Sequence, residues 1–216
     1  MSLKILGVSG SPVPNSNTDR AIKAILKASK LESEFVKLSD ITVRPCRACK
    51  RCVEDNICKQ EDDFPALASK VREASALVIG AYCSYNSLDA HTKAFLERLW
   101  SMRHQKNLNE GKQVVIVVSG VLPMTSKPVS QIIAHHMRME NMKVIETILI
   151  RGNVPCLTCG RGSECKMSGA PVLFGKGTKA SSDLCIRVED QVDVQKQINQ
   201  IGEVLHDHLF DKKNKT

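Results

Sequence analysis

Four cysteines stand in one short run, Cys46, Cys49, Cys52 and Cys58, spaced C-x2-C-x2-C-x5-C. Two-residue gaps let a single loop turn its sulfurs toward a common centre. Four thiolates on one centre suit an iron–sulfur cluster or a structural zinc. Zinc sites usually draw their ligands as two separated pairs, whereas three ligands within one short stretch are closer to ferredoxin-type ligation. The x5 gap to Cys58, with no proline after it, departs from the bacterial ferredoxin run. Unused or reactive thiols are the third reading of this segment. A second run, Cys156-x2-Cys159-x5-Cys165 with Cys185 further on, echoes the first. Gly160, Gly162 and Gly169 let its backbone fold around a centre. It reads as a second metal or iron–sulfur site, as a redox-active thiol pair at Cys156 and Cys159, or as a loop whose cysteines are buried.

Two further loops carry chemistry. The segment Gly7 to Thr18 holds five hydroxyl or amide side chains after Ser9-Gly10 and leads into a helix N-terminus. Short hydroxyls and backbone N–H groups there can surround a phosphate without a lysine; the bland reading is a polar turn with a helix cap. It is neither a P-loop nor G-x-G-x-x-G, which argues against a nucleoside triphosphate. The segment Ala81-Tyr82-Cys83-Ser84-Tyr85-Asn86-Ser87 contains both tyrosines of the chain. Tyr82 and Tyr85 are placed to wall a flat ring, unless they cluster by chance. Cys83 reads as a small packing residue or a reactive thiol. His135 and His136 read as surface or packing residues, and no Ser–His–Asp arrangement stands out.

The elements that must position these groups follow from the apolar pattern. Leu3 to Val8 is a buried strand feeding a tight loop, and not a signal peptide. Asn17 or Thr18 is expected to cap a helix with Asp19 in its first turn and Ile22, Ile25 and Leu26 on its buried stripe. Phe35 to Leu38 reads as a second strand. Asp63-Phe64-Pro65 reads as a capped helix start. Ala76–Gly80 and Val114–Ser119 are apolar strands of a sheet covered on both faces. Helices are expected around Leu88–Leu99 and Ser126–Met142, and a last strand over Val144–Ile150. The Gly/Cys-rich stretch 151–185 is too long for an ordinary loop. A final helix buries Val194, Ile198, Ile201, Leu205 and Leu209, and Lys212, Lys213 and Lys215 form a tail. Alternating strands and helices imply a doubly wound parallel sheet. Ligands of such sheets bind beyond the C-terminal strand ends, which selects the loops 9–18, 81–88 and 119–126, the last with Ser119 and Gly120.

The totals bound the classes. The 216 residues suit one α/β domain with insertions, and the 42% hydrophobic and 25% charged content is ordinary for a globular chain. No apolar run approaches a membrane span. Nine cysteines without a secretory signal argue for metal or redox chemistry in a reducing, cytoplasmic setting and against a disulfide scaffold. The net charge of +8 is a solvated basic surface or a face for an acidic partner such as ferredoxin. Nucleic acid is not expected, because no helix-turn-helix or aromatic-interleaved basic stripe accompanies the charge.

Ser9-Gly10-Ser11-Pro12 with Ser16-Asn17-Thr18 resembles the FMN-phosphate loop of the NADPH-dependent FMN reductase superfamily, which has the flavodoxin-like fold. Gly80 to Arg98 is similar to that superfamily's flavin-ring loop and following helix, with Lys93, Ala94, Phe95 and Arg98 matching its usual pattern. Tyr82 and Ser84 stand where the superfamily usually has Pro and Tyr. The first cysteine run, followed by Asp62-Asp63, resembles the iron–sulfur flavoprotein branch. These motifs cover about residues 1–150, leaving 151–216 as a Cys/Gly-rich extension and final helix. The resemblance implies a five-stranded parallel sheet in the order 2-1-3-4-5. It implies FMN held by Ser9, Ser11, Ser16, Asn17, Thr18, residues Tyr82 to Ser87, Ser119 and Gly120, and a [4Fe–4S] cluster on the first run. It also implies homodimers or homotetramers, with electrons arriving from ferredoxin or NAD(P)H. Two other functions stay open: an NAD(P)H-dependent flavin or quinone reductase without a cluster, and a cysteine-rich redox-sensing or metal-binding module.

Overall fold

The longest apolar runs become the central strands. In the computed structural model, which describes residues 4–213, β1 (Lys4–Ser9), β3 (Ala76–Ser84) and β5 (Gln113–Gly120) form the middle of a parallel sheet. β2 (Glu32–Lys37) and β6 (Lys143–Arg151) flank them, giving the order β2-β1-β3-β5-β6. This is the expected order of five strands. The sixth, β4 (Ser87–Leu88), is a two-residue strand that turns back antiparallel on the end of β3. The chain leaves β1 toward β2 and returns on its other side as β3, so the switch point lies between β1 and β3.

Helices cover both faces. On one, α2 (Phe64–Glu73), α3 (Ala90–Leu99) and α4 (Pro123–Met139) bury Phe64, Leu67, Phe95, Leu99, Ile133 and Met137. On the other, α1 (Asn17–Ser29) packs beside α6 (Val192–Lys213). All five α6 residues expected on its buried face, from Val194 to Leu209, lie in that second core layer. Each such aliphatic side chain contributes about 1.5–3 kcal/mol by leaving water. α1 sits unusually close to the sheet at Gly80, where a Cβ would lie 2.5 Å from Ile22 Cδ1 and 2.6 Å from Thr18 Cγ2.

Several local expectations change. The α1 cap is Ser16, not Asn17 or Thr18: its hydroxyl accepts from Asp19 N–H at 3.1 Å, and the Asp19 carboxylate accepts from Ser16 N–H at 3.1 Å, a reciprocal capping box. At α2 the Phe64 N–H is taken by Asp62 at 3.1 Å, and Asp63 instead accepts from Thr42 N–H at 2.7 Å. α4 starts at Pro123, so the third loop shrinks to Val121-Leu122, and Pro128 falls inside the helix. α6 continues through Lys213, while Lys215 lies outside the described residues, as does Leu3 at the other end. Between β6 and α6 the chain makes short 3-10 turns and one brief helix, α5 (Ala170–Phe174), around a small cluster of Leu157, Ala170 and Ala180.

Candidate flavin and cysteine site

The first loop is drawn tight by Asp19. Its carboxylate accepts from the Ser9 hydroxyl at 2.6 Å and pairs with Lys37 at 2.6 Å, both nearly buried. Lys37 also donates to Val13 O at 2.9 Å. Ser9 therefore braces the loop from inside. Asn17 does the same on the other flank: its amide donates to Ile186 O at 2.8 Å and Arg151 O at 3.2 Å, and its oxygen accepts from Val188 N–H at 3.1 Å. Thr18 is buried with its methyl toward β3. Ser16 is half-buried at the helix start, and the first-turn N–H groups of Asn17 and Thr18 precede any intrahelical acceptor. Ser11 is buried just behind, its hydroxyl accepting from Val13 N–H at 3.4 Å.

The second loop is a hairpin, which the sequence did not announce. β3 runs on through Ser84, and Tyr85 and Asn86 both take positive φ, 48° and 59°, before Ser87 returns as β4. Two left-handed central residues are the signature of a type I′ turn. Tyr85 is fully exposed at its tip, and Tyr82 is half-buried below it. Cys83 turns inward, its thiol donating to Thr125 O at 3.3 Å, which matches the packing reading.

The three loops meet. Gly10 N–H donates to Gly80 O at 2.8 Å, and a Cβ on Gly10 would lie 1.9 Å from Thr92 Oγ1 and 2.6 Å from Asp89 Oδ1. Asp89 caps α3, accepting from Thr92 N–H at 2.8 Å, and its other oxygen accepts from Tyr82 N–H at 3.2 Å. Burial pushes the Asp89 carboxyl up, against the pull of these donors. The third loop abuts the extension, where Gly152 N–H donates to Gly120 O at 2.8 Å and Ser119 Oγ lies against Gly152.

The first cysteine run lies at the far end of α3. Cys46, Cys49, Cys52 and Cys58 line one cavity together with Gln60, Arg98, Trp100 and His104. The loop is shaped by left-handed residues at Ala48, Lys50 and Asn56, and Ala48 N–H donates to Cys46 Sγ at 3.4 Å. Such turns aim backbone donors inward at an anion. Asn56 pins the loop to the chain after α3, accepting from His104 N–H at 2.7 Å and Gln105 N–H at 3.0 Å and donating to Lys106 O at 2.6 Å. Cys52 Sγ lies 3.4 Å from His104 Nε2, and the His104 ring is tilted against Trp100 with centroids 5.2 Å apart.

The anchor of this loop is a buried ion pair. Arg98 is 1% exposed and grips Asp62 through both arms, at 2.5 and 2.9 Å. It also donates to Arg44 O at 2.8 Å and to Cys58 Sγ at 3.3 Å, with its carbon 4.5 Å from the Phe64 ring centroid. Burial would raise the Asp62 carboxyl, but Arg98 and the N–H groups of Arg44 and Phe64 outweigh it and hold the group at about 2. Among the thiols, burial and the neighbouring cysteines push Cys52 up, while the Arg51 backbone and guanidinium hold Cys49 down. Four thiols lining one cavity are the donor chemistry that suits a cationic, sulfur-loving centre. The cavity encloses only about 20 Å³, and among the described residues no three His, Cys, Asp or Glu groups converge on one ion. Cys46 and Cys49 are exposed and Cys52 and Cys58 half-buried, so binding there requires the thiols to draw together.

The second run is not gathered in the same way. Cys156 and Cys185 pack on the small extension cluster, and Cys156 Sγ accepts from Gly169 N–H at 3.3 Å. Cys159 is exposed, its thiol held down by the N–H groups of Arg161 and Gly162. The open cavity nearby is lined by Arg161, Lys179 and Ser181 among others, with none of the four cysteines. His135 is exposed and His136 half-buried on α4.

A doubly wound parallel sheet with short loops joined at its C-terminal edge is the flavodoxin-like architecture, whose ligands bind at that edge. The chain belongs to the NADPH-dependent FMN reductase family, whose model matches residues 3–153. It is 31% identical over 104 residues to an iron-sulfur flavoprotein of Methanocaldococcus jannaschii, covering 47% of this chain and 54% of the relative. It is 31% identical over 106 residues to an iron-sulfur flavoprotein of Methanosarcina thermophila, covering 48% and 56%. The chain thus spans about half the length of the curated relatives it matches. In fold it is similar to RosB with a bound riboflavin-5′-phosphate derivative, with a TM-score of 0.65 and 17% identity over 100% of this chain and 81% of that one. It is also similar to an archaeal flavodoxin, with a TM-score of 0.54 and 14% identity over 96% and 99%. Among the described residues no helix is long and apolar enough to cross a membrane.

Proposed function

We propose that this chain is an iron–sulfur flavoprotein that passes electrons between FMN at the sheet edge and a [4Fe–4S] cluster on Cys46, Cys49, Cys52 and Cys58. The observation that carries this reading is the placement of α3. Its capping Asp89 holds the ring hairpin at Tyr82, and nine residues later Arg98 lines the cysteine cavity. At 1.5 Å rise per residue, about 14 Å of one helix separates the two ends. The names of the curated relatives support the same reading.

FMN supplies one- and two-electron chemistry and a cluster supplies single electrons. The residues do the holding. Ser16, Ser11 and the first-turn N–H groups of α1 receive the phosphate, with Ser9, Asn17 and Thr18 fixing the loop behind them. Residues Tyr82 to Ser87 with Ser119 and Gly120 frame the ring. Residues 1–150 carry the FMN-binding unit, and the extension over 151–216 packs on it through its described residues, which end at Lys213. The second run is structural in this reading. Ferredoxin or NAD(P)H is the electron source, a basic surface suits an acidic donor, the working form is a homodimer or homotetramer, and the setting is the reducing cytoplasm.

The family itself favours a second reading, direct reduction by NADPH without a cluster. Iron, sulfide, zinc and FMN analysis of protein purified without oxygen separates the two. About four irons and one FMN per chain uphold the first reading. FMN without iron, bleached promptly by NADPH, replaces it with the second. Zinc in place of iron makes the loop structural.

A further inference from the structure

We propose that Arg98 is the positioning residue of the cysteine centre, joining Cys58 to the Asp62 anchor and favouring the reduced state of whatever the thiolates bind. This rests on reading the first cysteine run as an iron–sulfur site. A buried guanidinium needs acceptors for all its donors. Asp62 takes one from each arm, Arg44 O takes a second from Nη1, and Cys58 Sγ takes the second from Nη2. Nε remains buried without a partner among the described residues, on a side chain that lines the cysteine cavity. An orphaned donor of this kind is costly unless a bound group or water accepts from it.

The sequence of contacts explains why arginine rather than lysine stands here. Only a planar fork can grip Asp62 with two arms and still reach a sulfur. The Phe64 ring supports the guanidinium from the side. Asp62 in turn accepts from Arg44 N–H at 3.0 Å, two residues before Cys46. One ion pair thus fixes both ends of the cysteine loop. Hydrogen bonds to ligand sulfurs stabilise the more negative, reduced state and raise the potential. One charge-assisted hydrogen bond is worth roughly a tenfold change in the reduced-to-oxidised ratio, which for one electron is about 59 mV.

The test compares wild type, Arg98→Lys, Arg98→Gln and Lys59→Gln, each purified anaerobically. Lys59 carries an exposed ion pair with Asp55 on the same loop, so its variant controls for loss of a nearby charge. Iron content is measured first, then the midpoint potential by spectroelectrochemical titration. The expected result is retained iron with the ratio shifted about tenfold toward oxidised in both Arg98 variants and less than twofold in Lys59→Gln. Iron retained at an unchanged potential overturns the proposal. If the Arg98 variants lose iron, amide exchange over residues 44–62 of iron-free protein decides. Protection equal to wild type supports a direct role toward the centre, whereas lost protection reduces Arg98 to a loop anchor. A wild type without iron fails the parent reading, before any variant is compared.

Discussion

Replacing Asp62 with asparagine removes one charge from a fully buried pair and leaves Arg98 uncompensated. The side chains are 0% and 1% exposed, so solvent does not screen the loss. Breaking such a pair costs about 3–5 kcal/mol. Part of this is readable as proton linkage. Holding the Asp62 carboxyl at about 2 instead of 3.8 corresponds to about 2 kcal/mol of stability at neutral pH. The folded value is depressed, so this stability is present above pH 4 and is lost as pH falls through about 2. Urea unfolding of reduced, iron-free wild type and Asp62→Asn at pH 7, 5, 4, 3 and 2 measures both quantities. The variant is less stable by about 3–5 kcal/mol at pH 7, and the gap narrows by about 2 kcal/mol toward pH 2. A variant within 1 kcal/mol of wild type at pH 7, or a gap that stays constant down to pH 2, refutes the account.

Other perturbations probe the loops. Gly10→Ala places a methyl 1.9 Å from Thr92 Oγ1, and overpacking of about 1–3 kcal/mol accompanies loss of FMN, seen by thermal melting and flavin fluorescence titration. Tyr85→Asn relaxes a left-handed tyrosine in a type I′ turn, raising stability by about 1 kcal/mol; if Tyr85 also touches the flavin ring, FMN affinity falls in the same protein. Asn17→Ala removes three hydrogen bonds to 151–188, about 2–3 kcal/mol, and limited proteolysis within 153–191 accelerates while FMN binding weakens.

How much of this was legible depended on distance along the chain. The apolar runs of β1, β3 and β5 and the α6 stripe announce themselves, because period and length are local properties. So does the first cysteine run. The β2 strand was shifted because Glu32 to Lys37 is a half-exposed edge with little apolar signal. Ser16 lost to Asn17 and Thr18 as the expected cap, although Ser16 to Asp19 spells a capping box with aspartate in place of the usual glutamate. Arg98 and Asp62 each lie in motifs singled out from the sequence, yet nothing local pairs residues 36 apart. The hairpin at Tyr85 and Asn86 was hidden because neither residue is the glycine that usually marks such a turn.

The bonds of Asn17 give the chain an order of events. They join the start of α1 to residues 151, 186 and 188, more than 130 positions downstream. During synthesis the sheet, the ring hairpin and the cysteine loop can all form while the phosphate loop still lacks its outer brace. Only when residue 188 has been made does that loop take its final shape. The first loop is therefore braced on its outer flank only after the whole sheet and the cysteine loop have been made.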